Sequence, residues 1–168
     1  MKQVVTDELY DLPTVNSELI LYTDGSCSRN PGPGGWAAVL IHIPTGKQLH
    51  LSGGEPKTTN NRMEITAILS AVQELKRPSS LTIFTDSMYV VNAFKSGWLT
   101  KWQRNGWRTL QGKAVENIDL WQALLKALEP HRVEWQHVRG HAGTYYNELC
   151  DQMARLETAE QQNRAGQN

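Results

Sequence analysis

Two stretches of the chain end in the same way. Leu19-Ile20-Leu21-Tyr22-Thr23-Asp24-Gly25-Ser26 and Leu81-Thr82-Ile83-Phe84-Thr85-Asp86-Ser87 both run through apolar residues to an aromatic, a Thr, an Asp and a small residue. If both are strands, parallel and adjacent, Asp24 and Asp86 meet at the carboxyl edge of the sheet, where open α/β sheets place ligands. Carboxylates side by side repel unless they share a proton or a cation. The pair therefore predicts a divalent metal held by oxygen ligands.

Other residues of the right types lie within reach of that edge. Glu64 precedes Ile68, Ala71 and Leu75 by four, seven and eleven residues, which puts it on the inward side of a helix. A first-turn Glu favoured by the helix dipole, or a capping-box Glu, is the ordinary alternative. His141 stands between glycines on an exposed turn, suited to taking up and releasing protons near neutral pH, although a lone surface His is usually inert. Asn147 and Asp151 fall one turn apart on a helix. Between Asp86 and Glu116 no acidic residue occurs, whereas Lys95, Lys101, Arg104, Arg108 and Lys113 alternate with Trp98, Trp102 and Trp107. Positive side chains track phosphates and aromatic faces stack on sugars and bases. The plainer reading makes the tryptophans the core of a small helical subdomain.

The elements that must position these groups follow from periodicity and turn residues. Residues 1–17 lack a pattern and read as a poorly ordered extension. Glycine and proline across 25–35 exclude regular structure and let backbone approach a ligand, or make an ordinary long turn. Strands are expected at 36–43 and 47–52, completing an antiparallel meander with the first. Thr and Asn at 58–61 cap a helix that Pro78 closes. A short helix at 87–94 follows the strand ending at Asp86, which could itself be the helix cap. A helix at 117–128, a fifth strand at 132–138 and a last helix at 145–156 complete the chain. The polar tail from 158 to 168 is expected to be disordered.

At 168 residues the chain suits one domain, expected at 18–157, that buries roughly two-thirds of its unfolded surface. Lys+Arg and Asp+Glu both total 17 and the pI is about 7.0, so overall charge does not argue for nucleic acid. Two cysteines, Cys27 and Cys150, do not make a disulfide framework; a reducing cytoplasm fits. No apolar run approaches the roughly 20 residues of a membrane span, and no exposed apolar stripe demands a partner, so a monomer without a membrane or an obligate protein partner is expected.

Taken together, Tyr22-Thr23-Asp24-Gly25-Ser26, Asn30-Pro31-Gly32-Pro33-Gly34-Gly35, Thr59-Asn60-Asn61-Arg62-Met63-Glu64, Thr85-Asp86-Ser87, Val138-Arg139-Gly140-His141-Ala142-Gly143 and Asn147-Glu148-Leu149-Cys150-Asp151 resemble the bacterial ribonucleases H of type 1. The resemblance implies an α/β fold, a mixed five-stranded sheet with helices on both faces, and endonucleolytic cleavage of the RNA strand of an RNA–DNA hybrid. It implies that Asp24, Glu64, Asp86 and Asp151 bind two Mg²⁺ ions roughly 4 Å apart, with Mn²⁺ as a substitute. One ion would generate hydroxide from water and the other stabilise the leaving 3′ oxygen, giving 5′-phosphate and 3′-hydroxyl ends. His141 matches the family's mobile histidine. Asn60 and Asn61 match minor-groove contacts, and Asn30 and Thr59 match a phosphate pocket. Asn147, with Lys101, Trp102, Arg104 and Trp107 of a basic handle at about 95–113, completes the implied substrate contacts.

The chain departs from the family at two points. Gln103-Arg104-Asn105 is less basic than the Lys/Arg run common in the handle, and Met88 stands where an amide side chain often reaches the minor groove. Three other readings compete: a hybrid-binding module without catalysis, another nuclease of the same broad fold, and a metal-independent acid–base hydrolase. Clustered carboxylates facing phosphates argue against the first, because a pure binder gains nothing from them.

Overall fold

The spine of the sheet is β2 (Leu19–Cys27). Its first six residues are all buried, Leu19 and Leu21 against one side of the sheet and Ile20 and Tyr22 against the other. A strand covered on both faces reads as a continuous apolar run, which is why 19–22 shows no alternation. The structure, a computed structural model, describes residues 1–139 and 144–167. Among these residues β1 (Lys2–Thr6), β3 (Gly32–His42), β4 (Gln48–Thr58), β5 (Ser80–Thr85) and β6 (Arg132–His137) join β2 in one mixed sheet of order β1-β4-β3-β2-β5-β6. β2, β5 and β6 are mutually parallel, and β1, β4, β3 and β2 pair antiparallel. The helices α1 (Asn60–Val72), α2 (Met88–Lys95), α3 (Trp98–Asn105) and α4 (Ile118–Leu128) occur between strands, and α5 (Tyr145–Gly166) closes the chain. α1 and α4 cover one face, where Ile65, Ile68, Trp121 and Leu124 pack; α5 covers part of the other with Tyr146, Cys150 and Ala154.

The fold class is as expected, with three corrections. The sheet has six strands rather than five, because residues 2–6 of the expected extension pair with β4 from Lys2↔Ser52 to Thr6↔Gln48. Almost every side chain of β1 is exposed, so no hydrophobic pattern marks it. Its ladder bonds and the Lys2 ammonium, 2.8 Å from Glu157 and 2.7 Å from Glu160, hold it.

Second, the glycine- and proline-rich stretch is not a long loop. β2 runs to Cys27 and β3 starts at Gly32, paired Ser26↔Gly35 and Cys27↔Gly34, with a cis Asn30–Pro31 peptide between them. β4 likewise continues past Ser52 through Gly53 and Gly54. These glycines are there for space. A Cβ on Gly35 would lie 2.5 Å from the Ala154 carbonyl oxygen and 2.7 Å from the Thr158 nitrogen, both backbone atoms of α5. Gly35→Ala should therefore lower stability by about 1–3 kcal/mol through overpacking. The thermal midpoint should drop by about 2–12 °C; a midpoint within the measurement error of the parent would show that α5 rides freely over the sheet.

Third, the expected disordered tail from 158 is helical as far as Gly166. The buried residues there are polar, Glu157, Thr158 and Gln161, so no apolar stripe announces the helix. Glu157 is satisfied by the Ser52 hydroxyl at 3.0 Å and by Lys2, and Thr158 donates to the Ala154 carbonyl at 3.0 Å.

Candidate active site

The parallel register pairs Tyr22 of β2 with Phe84 of β5. Two residues further along each chain stand Asp24 and Asp86, so the two matching strand endings do meet at one edge. Asp86 is not the cap of the following helix: the Ser87 hydroxyl accepts the Val90 N–H at 3.2 Å and performs that task. Glu64 comes to the same place from α1. Thr59 is the N-cap, accepting from the Arg62 N–H, so Glu64 is past the first turn and a capping-box role is excluded. At 3% exposure it is a buried carboxyl, and its Oε2 has no hydrogen-bond partner among the described residues. One carboxylate oxygen from each of Asp24, Glu64 and Asp86 lies within 4.8 Å of the others.

Burial and mutual repulsion set the electrostatics. The Asp24 carboxyl is pushed up to about 7, first by burial, then by the Asp86 charge and, more weakly, that of Asp151; the N–H of Gly25, 2.8 Å from Oδ1, opposes this. Glu64 is raised well above the ordinary carboxyl range by burial and then by Asp24 and Asp86. Three converging acids, one with an orphaned buried oxygen, fit a hard divalent cation. They offer oxygen ligands only, and a cation would replace the shared protons and relieve the repulsion.

Asp151 stands outside this tight triplet but lines the same open cleft of about 450 Å³, with Asn60 and Asn61 on its rim. A narrow crevice beside it is walled by Asp24, Asp86, Asp151 and Asn147, whose Nδ2 is buried without a partner among the described residues. Asn30 reaches the start of α1, its Oδ1 accepting the Asn60 N–H at 2.8 Å, while the Thr59 hydroxyl keeps a proton to donate. The predicted handle lies apart from the cleft. Lys101 and Trp102 line a separate hollow of about 370 Å³, Arg104 is exposed on α3, and Trp102 stands 6.3 Å from Trp107 and 6.1 Å from Trp121. The tryptophans pack against the core, as the plainer reading holds, and the outward face of the handle carries its charges together with the almost fully exposed Leu110. His141 lies outside the described residues.

Two residues escape the sequence reading. Arg155 pairs with Asp151 at 3.2 Å one helical turn on and also lines the cleft; the i,i+4 spacing of opposite charges was its visible signal. Arg62 makes a two-pronged pair with Asp119, at 3.1 and 2.7 Å, that ties the start of α1 to α4 and steadies the helix bearing Glu64. Nothing local in the sequence announces so distant a partner. Cys27 and Cys150 are free thiols, the latter buried with its Sγ donating to the Tyr22 carbonyl.

Comparisons with known proteins bear on this geometry. A family model described as RNase H matches residues 16–159. A ribonuclease H of Moorella thermoacetica is 52% identical over 142 residues, covering 84% of this chain and 92% of that protein. One of Symbiobacterium thermophilum is 54% identical over 142 residues, covering 84% and 95%. Among solved structures, LC9-RNase H1, described as a type 1 RNase H with the type 2 active-site motif, superposes with a TM-score of 0.76 at 32% identity, over 90% of this chain and 76% of that one. The RNase H domain of prototype foamy virus superposes with a TM-score of 0.67 at 26% identity, over 85% and 95%.

Proposed function

The chain belongs to the RNase H family, and we propose that it is an endonuclease that hydrolyses the RNA strand of RNA–DNA hybrids. The observation that carries this reading is the convergence of Asp24, Glu64 and Asp86 at the carboxyl ends of two parallel strands. In our reading Asp24, Glu64, Asp86 and Asp151 hold two Mg²⁺ ions, with Mn²⁺ able to replace them. When bound, the ions supply an activated water and stabilise the departing 3′ oxygen, which leaves 5′-phosphate and 3′-hydroxyl ends.

The remaining residues bind and orient. Asn60 and Asn61, on the rim of the cleft, reach into the minor groove. Asn30 and Thr59, joined through the first turn of α1, grip a phosphate. Backbone groups of residues 25–30, at the end of β2 and in the turn that follows it, and the Glu64 carboxyl read the 2′-hydroxyl, which only the RNA strand offers as donor and acceptor. Asn147, whose amide has no partner among the described residues, lines the crevice beside Asp151 and contacts the substrate there. Lys101 and Arg104 follow the phosphate backbone of the hybrid from the handle, braced by Trp102 and Trp107. His141 moves protons or helps product leave during turnover. We assign the catalytic core to 18–157, to which β1 and the last turns of α5 add as parts of the same fold, and expect a cytoplasmic monomer without an obligate protein partner.

The test is cleavage of a hybrid labelled on its RNA strand, in Mg²⁺ and in EDTA, beside single-stranded RNA, RNA duplex and DNA duplex. Cutting should be confined to the RNA of the hybrid and abolished by EDTA. Hybrid bound but left intact with every divalent ion would make the chain a binding module, and cleavage of the DNA duplex would make it a different nuclease.

A further inference from the structure

Residues 1–15 precede the stretch that the family model matches, yet part of this segment is built into the fold beside the site. α5 packs on β2, β3 and β4, and the face it leaves is crossed by residues 7–16. The crossing is anchored at several points. The Glu8 carbonyl accepts the Gln48 side-chain amide at 2.7 Å, Leu12 and Val15 pack on the apolar cluster of Ile20, Tyr22 and Ile41, and the Asn16 carbonyl accepts from Arg132 at 3.3 Å.

Tyr10 touches α5 at its start. Its ring stacks on Tyr145 with centroids 3.9 Å apart, and its backbone N–H donates to the Tyr146 hydroxyl at 3.0 Å. Tyr146, 1% exposed, stacks in turn on Tyr22 at 5.4 Å, and Tyr22 on Phe84 at 5.0 Å. An aromatic column therefore runs from the extension to the residues two positions before Asp24 and Asp86. The same first turn of α5 leads directly into Asn147 and Asp151.

We propose that residues 7–15 are a strap that fixes the first turns of α5 against the sheet, with Tyr10 as a positioning residue for Asp151 and Asn147. The inference rests on the reading of Asp151 as a site carboxylate. A strap that only covers apolar surface would lower stability when loosened and leave the kinetics alone. A strap that places Asp151 sets how tightly the acids hold a cation and how well the site is aligned.

The test uses the full chain with Tyr10→Ala and Tyr10→Phe. It reads kcat, the KM for hybrid, the Mg²⁺ concentration giving half-maximal rate, and amide hydrogen exchange over residues 145–151. Losing the stacked ring in Tyr10→Ala should speed exchange there about threefold to tenfold. The half-saturating Mg²⁺ should rise and kcat fall by a similar factor, roughly threefold to tenfold, with KM little changed. Tyr10→Phe, which keeps ring and N–H, should behave as the parent. Parent-like kinetics and Mg²⁺ dependence in Tyr10→Ala overturn the proposal, whatever the melting temperature does. If Tyr10→Ala does not fold, Tyr146→Phe, which removes only the acceptor oxygen, decides on the same readouts. A parent that cleaves no hybrid defeats the functional reading instead, and unchanged exchange over 145–151 in Tyr10→Ala then defeats the strap separately.

Discussion

Asp24→Asn should lower Mg²⁺-dependent cleavage of the hybrid by about 10³-fold while leaving the protein folded and able to bind the hybrid. Divalent metal catalysis is worth several kcal/mol of charge stabilisation, and about 4 kcal/mol lost corresponds to that factor. Asp24 is the member of the cluster best suited to the test. It is 8% exposed, faces both Glu64 and Asp86, and keeps its local bond when changed, since an amide oxygen accepts the Gly25 N–H as a carboxylate oxygen does. Removing one negative charge from a cleft that faces phosphates should leave binding in EDTA unchanged or tighter. The measurement is single-turnover cleavage paired with hybrid binding in EDTA. A variant within tenfold of the parent would mean that the acids serve the fold and that the chemistry lies elsewhere.

What was legible in the sequence follows from where a pattern had a local cause. Asp24 and Asp86 could be placed because each closes a run whose burial demands apolar residues. Glu64 could be placed because its helical neighbours Ile68 and Ala71 are buried on the same side. The glycine strands were missed because a glycine required for space looks, in sequence, like one required for a turn; only Trp36 over Gly53 and Ala154 over Gly35 reveal the difference. The end of α5 was missed because Glu157 is buried against Lys2 and Ser52, partners over a hundred residues away. β1 and the Tyr10 contacts share that cause. Short polar elements held by distant partners carry no periodicity of their own.

The second large effect concerns stability in the absence of the cation. The Asp24 carboxyl, ordinarily near 3.8, stands at about 7 in the folded protein, and Glu64 is raised in the same sense. Between those values the folded state holds a proton that the unfolded chain has released, so stability falls as pH rises. The contribution is fully present below about pH 4 and lost by the time pH has passed about 7. At face value the Asp24 shift is worth roughly 4 kcal/mol, an upper bound because the buried acids share their protons. Asp119, held low by Arg62, titrates with the opposite sign, so the cluster is isolated by subtracting Asp24→Asn from the parent at each pH. In EDTA that difference should grow from pH 5 to pH 8 in favour of the variant, by several degrees in melting temperature at about 2–4 °C per kcal/mol. Millimolar Mg²⁺ should reverse it, because a cation binds the ionised acids and stabilises the fold by roughly 2.7 kcal/mol at a hundred times its dissociation constant. Its benefit should be large at pH 8, small at pH 5 and reduced in the variant throughout. An equal Mg²⁺ effect at both pH values, or in both proteins, would place the bound cation away from Asp24.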